Sequence, residues 1–211
     1  MLHMLDLFGT LVFAISGAFR AVKYELDILG VLVLAVAVGV GGGIMTDVLV
    51  GNQPPFALRD ERYLLICIVG GLLVFVGAKR IAPWWDGVMT ADALGLGVFA
   101  ALGAAKGAEA GLGHVGVLMA ATLTATGGGV IRDVLVREIP AVLRADFYAT
   151  AAIAGGLVFE IARARGYSLN VQLFSCIAVT LVLRLLAMRY KMALPRVRRL
   201  PQSPSEQARG K

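Results

Sequence analysis

The residues in this chain best placed to do chemistry are two glycine triplets, each followed at the same distance by an aspartate. They read Gly41-Gly42-Gly43-Ile44-Met45-Thr46-Asp47 and Gly127-Gly128-Gly129-Val130-Ile131-Arg132-Asp133. Three adjacent glycines weaken a helix, each costing about 1 kcal/mol relative to alanine. A break there frees carbonyls at the end of one half-helix and N–H groups at the start of the next. In lipid, such groups are tolerated only where they line a cavity or meet another polar group. Freed carbonyls at the negative end of a half-helix favour a cation. The triplets therefore predict a water-filled route in which Gly41, Gly42, Gly43, Gly127, Gly128 and Gly129 partly replace the hydration shell of a monovalent cation.

Asp47 and Asp133 lie four residues beyond the triplets, early in the second half-helices. The dipole there suits a carboxylate, which would also attract cations. A cap, or an ion pair with Arg132 or Lys106, explains them equally well. The two copies differ at one informative position, where Thr46 is replaced by Arg132. An arginine at that depth opposes a cation current unless it is paired or takes part in gating. For the triplets the competing reading is tight helix packing, which suffices for Ser16-Gly17-Ala18 and Gly103-Ala104-Ala105. Lys106 follows that second stretch, with Glu109 three residues on. It reads first as a snorkelling or surface-paired lysine, and second as a gate charge.

Enzymatic chemistry has little to work with. His3 and His114 are the only histidines, and no nucleophile–base or metal-ligand cluster accompanies them. Cys67 and Cys176 each lie among apolar neighbours and read as small buried hydrophobes. Neither an enzyme, a resident metal nor a cofactor is expected.

The elements that must position these residues repeat themselves. At an offset of 86 residues Asp6 falls on Asp92, Gly9 on Gly95, Phe13 on Phe99 and Gly17 on Gly103. The triplets coincide, as do Asp47-Val48-Leu49-Val50 with Asp133-Val134-Leu135-Val136, and Pro54 with Pro140. The same register extends to Asp60/Asp146, Gly70/Gly156 and Lys79/Arg165. Each copy holds three apolar spans, so the second must cross the membrane in the opposite sense, as an inverted-topology repeat.

Of the 211 residues, 58% are hydrophobic and 16% charged, with a mean hydropathy of +0.80, which suits a chain whose outer surface is lipid. Apolar runs near 4–22, 28–50, 62–79, 88–108, 112–136, 146–164 and 170–190 predict an all-α integral membrane protein. It has seven transmembrane helices, the second and fifth broken at the triplets. The first repeat is assigned to 1–85, the inverted second to 86–168, and the seventh helix to 169–192. Residues 193–211 read as a basic, disordered cytoplasmic tail. Residues 1 to 5 carry no Lys or Arg, so the first run reads as a retained helix. Cations in alternate loops and in the tail place the N-terminus outside and the C-terminus in the cytoplasm of an inner (plasma) membrane protein. The net charge of +6 reads as an orientation signal touching anionic lipid, with no nucleic-acid partner.

The paired Gly-Gly-Gly-x-x-x-Asp-Val-Leu-Val stretches, with a proline after each and Phe-Ala-Ile-Ser-Gly-Ala after Asp6, resemble the prokaryotic trimeric intracellular cation channels over residues 4 to 190. The resemblance implies a homotrimer with one pore inside each subunit. It implies potassium-permeable conduction of monovalent cations, K+ or Na+, and contact with membrane lipid. It also implies a pore lined by the kinked second and fifth helices at Gly41–Gly43 and Gly127–Gly129, and a gating role for a basic residue, here Lys106. The residues themselves leave one alternative open: a secondary transporter of a small solute such as glycine or another small amino acid.

Overall fold

In the computed structural model, residues 1–81, 85–144, 147–192 and 194 are described, and every regular element among them is a helix. These are α1 (Leu2–Lys23), α2 (Ile28–Leu49), α3 (Phe56–Arg59), α4 (Glu61–Ile81), α5 (Trp85–Glu109), α6 (His114–Leu135), α7 (Ala141–Arg144), α8 (Ala149–Ala164) and α9 (Leu169–Tyr190). Asp146, the side chains of Lys79 and Arg80 and, Leu194 apart, the tail from residue 193 lie outside the described residues.

Six of the seven long helices are long and apolar enough to cross a membrane. The exception is α8, which at 16 residues spans about 24 Å against a hydrocarbon core of about 30 Å. It nevertheless occupies the place in its repeat that α4 holds in the other, packed against α5, α6 and α9. The outward faces are apolar: Leu65, Val69, Leu73 and Val76 form an exposed stripe on α4. Polar side chains are turned inwards instead, the arrangement lipid imposes.

The repeat is visible in how the helices end. Glu25 and Gly111, and then Gly51 and Arg137, take left-handed backbone at equivalent positions, with φ of 55°, 73°, 77° and 59°. At each the residue after the turn donates back along the helix: Leu26 N to Ala21 O, Leu112 N to Gly107 O, Asn52 N to Asp47 O and Glu138 N to Asp133 O. This is the closure that satisfies the last carbonyls of a helix. Glu25 and Arg137 adopt it without the glycine that would ease it, so the fold dictates the turn and the residue follows.

The copies are inverted. Along α1 towards its C-terminus, Gly9 faces Val98 and Phe99, whereas Ser16 bonds Asp92 further back on α5, so the two helices run antiparallel. Likewise α2 and α6 cross antiparallel, with Val38 against Gly128 and Thr46 against Thr124. Symmetry-related residues meet on the pseudo-twofold axis. Phe13 packs on Phe99 with ring centroids 5.0 Å apart, and a Cβ on Gly42 would lie 3.3 Å from Gly128 N.

Two expectations are corrected. First, neither triplet breaks its helix: α2 and α6 remain helical from Ile28 to Leu49 and from His114 to Leu135. Propensity loses to environment, because opening backbone hydrogen bonds in an apolar interior costs more than about 1 kcal/mol per glycine. The glycines serve close approach instead. A Cβ on Gly42 would lie 2.3 Å from Thr124 O, and one on Gly128 would lie 2.3 Å from Val38 O. Second, the offset of 86 does not survive into the third helix. A Cβ on Gly71 would meet Ala35 and Leu32 at 3.1 Å each, and one on Gly156 would meet Ala121 and Leu118 at the same distances. Leu32/Leu118 and Ala35/Ala121 keep the offset of 86, so α4 and α8 correspond at 85, with Gly71 rather than Gly70 matching Gly156. One residue is lost ahead of α7, between Glu138 and Pro140: Leu143 N bonds Pro140 O as Leu58 N bonds Pro55 O, already at an offset of 85, and the loop absorbs the loss at little cost.

Candidate functional site

Two charged cavities flank the α2–α6 crossing, one towards each end of the bundle. Each is built on an aspartate from the first helix of a repeat, an aspartate from the second, and a cation from the first helix of the other repeat.

The first cavity gathers Asp6, Asp47 and Lys106, and is also lined by Thr10, Gly43 and Tyr63. Asp47 is almost wholly buried. Its Oδ1 accepts from Lys106 Nζ at 2.9 Å, and its Oδ2 from the backbone N–H of Phe56, at the start of α3, at 3.0 Å. Asn52 Nδ2 adds a longer bond of 3.4 Å. Asp6 accepts from Tyr63 Oη at 2.8 Å. Two polar groups and one ion pair thus satisfy Asp47, Asp6 has the tyrosine, and Lys106 keeps a side chain 21% exposed, lying over the Phe56 ring.

The second cavity carries Asp92 and Arg20 in the matching places, together with Ser16, Arg132, Tyr148 and Arg184. Arg132 is the hub. Its Nε donates to Asp133 at 2.9 Å, and its Nη1 donates to Asp92 at 2.8 Å and to Ser16 Oγ at 2.7 Å. Tyr148 Oη donates to the other oxygen of Asp92 at 3.1 Å, repeating the Tyr63–Asp6 bond. Asp133 Oδ2 accepts from the N–H of Ala141 at 2.7 Å, as Asp47 does from Phe56, and Arg20 approaches its Oδ1 at 3.6 Å. At the mouth, Arg20 also reaches Glu138 at 3.4 Å, and Tyr24 Oη donates to the same carboxylate. That hydrogen bond holds the Glu138 carboxyl below its usual range and pushes the Tyr24 phenol up.

Between the cavities lies a thin septum. Thr124 donates its hydroxyl to Ala120 O at 2.7 Å, so it accepts from Thr46 across the crossing at 2.6 Å. The Phe13–Phe99 pair and the Gly42–Gly128 contact complete it. Space open to water is about 10 Å³ in the first cavity and about 40 Å³ in the second. That is room for roughly one water and roughly three. The passage is closed in this conformation.

Of the residues expected to form the site, Gly43, Asp47 and Lys106 line the first cavity and Arg132 the second. Gly41, Gly42, Gly127, Gly128, Gly129, Thr46 and Asp133 line neither; they form the crossing or brace the charges behind it. A Cβ on Gly43 would meet nothing within 4 Å. Sequence reasoning passed over Asp6, Asp92, Ser16, Arg20, Tyr63, Tyr148 and Arg184 as site residues. The aligned Asp6/Asp92 pair, and an arginine in the middle of the last apolar run, were the available signals. No group of three or more His, Cys, Asp or Glu side chains that could hold a metal ion occurs among the described residues.

A family model described as "Glycine transporter" matches this chain twice, over residues 3–79 and 89–164, once for each repeat. The UPF0126 inner membrane protein YadS of Escherichia coli K12 is 40% identical over 202 residues, covering 92% of this chain and 95% of its own. A solved structure described as giving the basis for conductance through TRIC cation channels superposes with a TM-score of 0.88 at 38% identity, covering 95% of this chain and 98% of that one. The TRIC trimeric intracellular cation channel orthologue from Rhodobacter sphaeroides gives 0.86 at 32% identity, covering 90% and 98%. The chain belongs to this family, the prokaryotic TRIC channels. As a TRIC family member it is a multi-pass membrane protein.

Proposed function

We propose that this protein is a potassium-permeable monovalent cation channel, a homotrimer with one conduction route inside each subunit. The observation that carries the reading is the pair of charged cavities approaching one glycine crossing from opposite ends of the bundle. The solved relatives described as TRIC cation channels support it. The route runs from the cavity of Asp6, Asp47 and Lys106, past Gly43, across the septum of Thr46, Thr124, Phe13 and Phe99, into the cavity of Asp92 and Arg132. Carboxylates concentrate cations at both ends, and Lys106 and Arg132 cancel that attraction until the septum opens. The N-terminus lies outside, so the Lys106 cavity faces the periplasm and the Arg132 cavity the cytoplasm.

Single-channel recording of purified protein in planar bilayers, under potassium and sodium gradients, tests this. Discrete currents reversing near the cation equilibrium potentials are expected, with Phe99→Ala raising open probability by thinning the septum. A second reading, a carrier of glycine or a similar small solute, draws support from the family model's description and from a septum between two cavities, which suits alternating access. Silent bilayers together with saturable glycine uptake into liposomes would establish that reading instead.

A further inference from the structure

Arg184 is the one arginine of the second cavity left over when the charges are paired. Arg132 takes Asp92 and Asp133, and Arg20 takes Asp133 and Glu138. Arg184, on α9, is 5% exposed, its Nε has no hydrogen-bond partner, and it forms no ion pair among the described residues. Its guanidinium lies 4.8 Å from the centre of the Tyr148 ring, whose hydroxyl is already committed to Asp92. An arginine does not shed its proton in a protein. A buried, uncompensated charge is costly, and aromatic contact offsets only part of that cost.

We propose that the cavity of Arg20, Arg132 and Arg184 binds a small monovalent anion, chloride in the cell, as the counter-ion of Arg184. The space open to water there, about 40 Å³, takes a monatomic anion with a water or two, and is too small for a phosphate ester with its substituent. Asp92 lines the same cavity and repels an anion, but both its oxygens are already hydrogen-bonded, by Arg132 and Ser16 on one side and Tyr148 on the other. Its field is therefore largely cancelled where Arg184 faces the cavity. The site stands whether or not the protein conducts.

The direct test is bromide in place of chloride in crystals of the full-length protein, read by anomalous scattering. A bromide peak in this cavity within contact distance of the Arg184 guanidinium is expected; a cavity holding only water would overturn the proposal. In solution, exchanging gluconate for chloride at constant sodium and ionic strength should raise the unfolding midpoint saturably, by about 3 °C at full occupancy. Arg184→Gln should abolish that dependence. Arg184→Lys, which keeps the charge, should retain part of it and serves if the glutamine variant fails to fold. A wild-type midpoint indifferent to the anion would refute an anion site.

Discussion

The two ends of the α2–α6 crossing began as copies and now differ in how firmly they hold their charges. At the Lys106 end a flexible, part-exposed ammonium reaches one aspartate, while the other aspartate has only a tyrosine. At the Arg132 end a rigid guanidinium joins both aspartates, and Ser16 stands there where the equivalent residue of the second repeat is Leu102. One substitution, threonine to arginine at positions 46 and 132, accounts for most of this. It converts a loosely held charge cluster into a braced one. Motion between conducting and closed states is thus expected at the Lys106 end, with the Arg132 end as the fixed half.

The strongest way to break that comparison is to remove the brace. Arg132→Met leaves Asp92 and Asp133 buried without their main partner, which should cost about 3–5 kcal/mol and most of the folded protein. At the equivalent place Thr46→Val forfeits one hydrogen bond, about 1 kcal/mol. Thermal unfolding of the two variants in detergent measures the contrast; equal losses would mean the ends are equally braced.

The crossing itself supplies the next contrast. Gly128→Ala drives a methyl to 2.3 Å from a backbone carbonyl and should destabilise by about 1–3 kcal/mol as the helices separate. Gly43→Ala meets open space and gains helix propensity, so its unfolding midpoint should hold or rise slightly. Smaller again is the effect of Lys106→Gln. It removes a part-exposed ion pair while leaving Asp47 its bonds from Phe56 and Asn52, so fold is kept and cation conductance per open channel rises, about two- to fivefold, read in planar bilayers. Arg20→Gln at the opposite end should change conductance less, because Arg132 still holds Asp133.

The smallest expected effect is at the mouth of the second cavity. Glu138 has its proton affinity lowered by Tyr24, so its contribution is present above the ordinary carboxylate range and fades as pH falls through the lowered folded value. Tyr24 titrates above its ordinary value of about 10, so its contribution is present below that pH and fades as pH rises through the raised folded value. Tyr24→Phe should flatten both edges of the stability–pH curve and lower the plateau between them slightly.

Much of this was legible in the sequence, because apolar runs and paired landmarks record membrane crossings and inverted repeats directly. Seven helices, their order, and the charges at 47, 106, 132 and 133 could all be read. Helix continuity through the triplets could not, because propensity speaks for an isolated helix and says nothing of a neighbour whose carbonyl needs the missing Cβ. The shift in the third helix was hidden by Pro54/Pro140 and Gly70/Gly156, which happen to align at the wrong register. Arg184 was missed because a lone cation in an apolar run was read as span and not as a group needing a partner.

The central claim, one cation route in each subunit passing Gly43, is tested most directly by Gly43→Cys. The native Cys67 and Cys176 are fully buried, so the introduced thiol is the reactive one. Single-channel potassium currents of this variant should fall in three equal steps when a small charged thiol reagent is added on the Lys106 side, one step per subunit. Currents that continue unchanged after complete labelling, or that vanish in one step, would contradict a pore within each subunit lined by this helix.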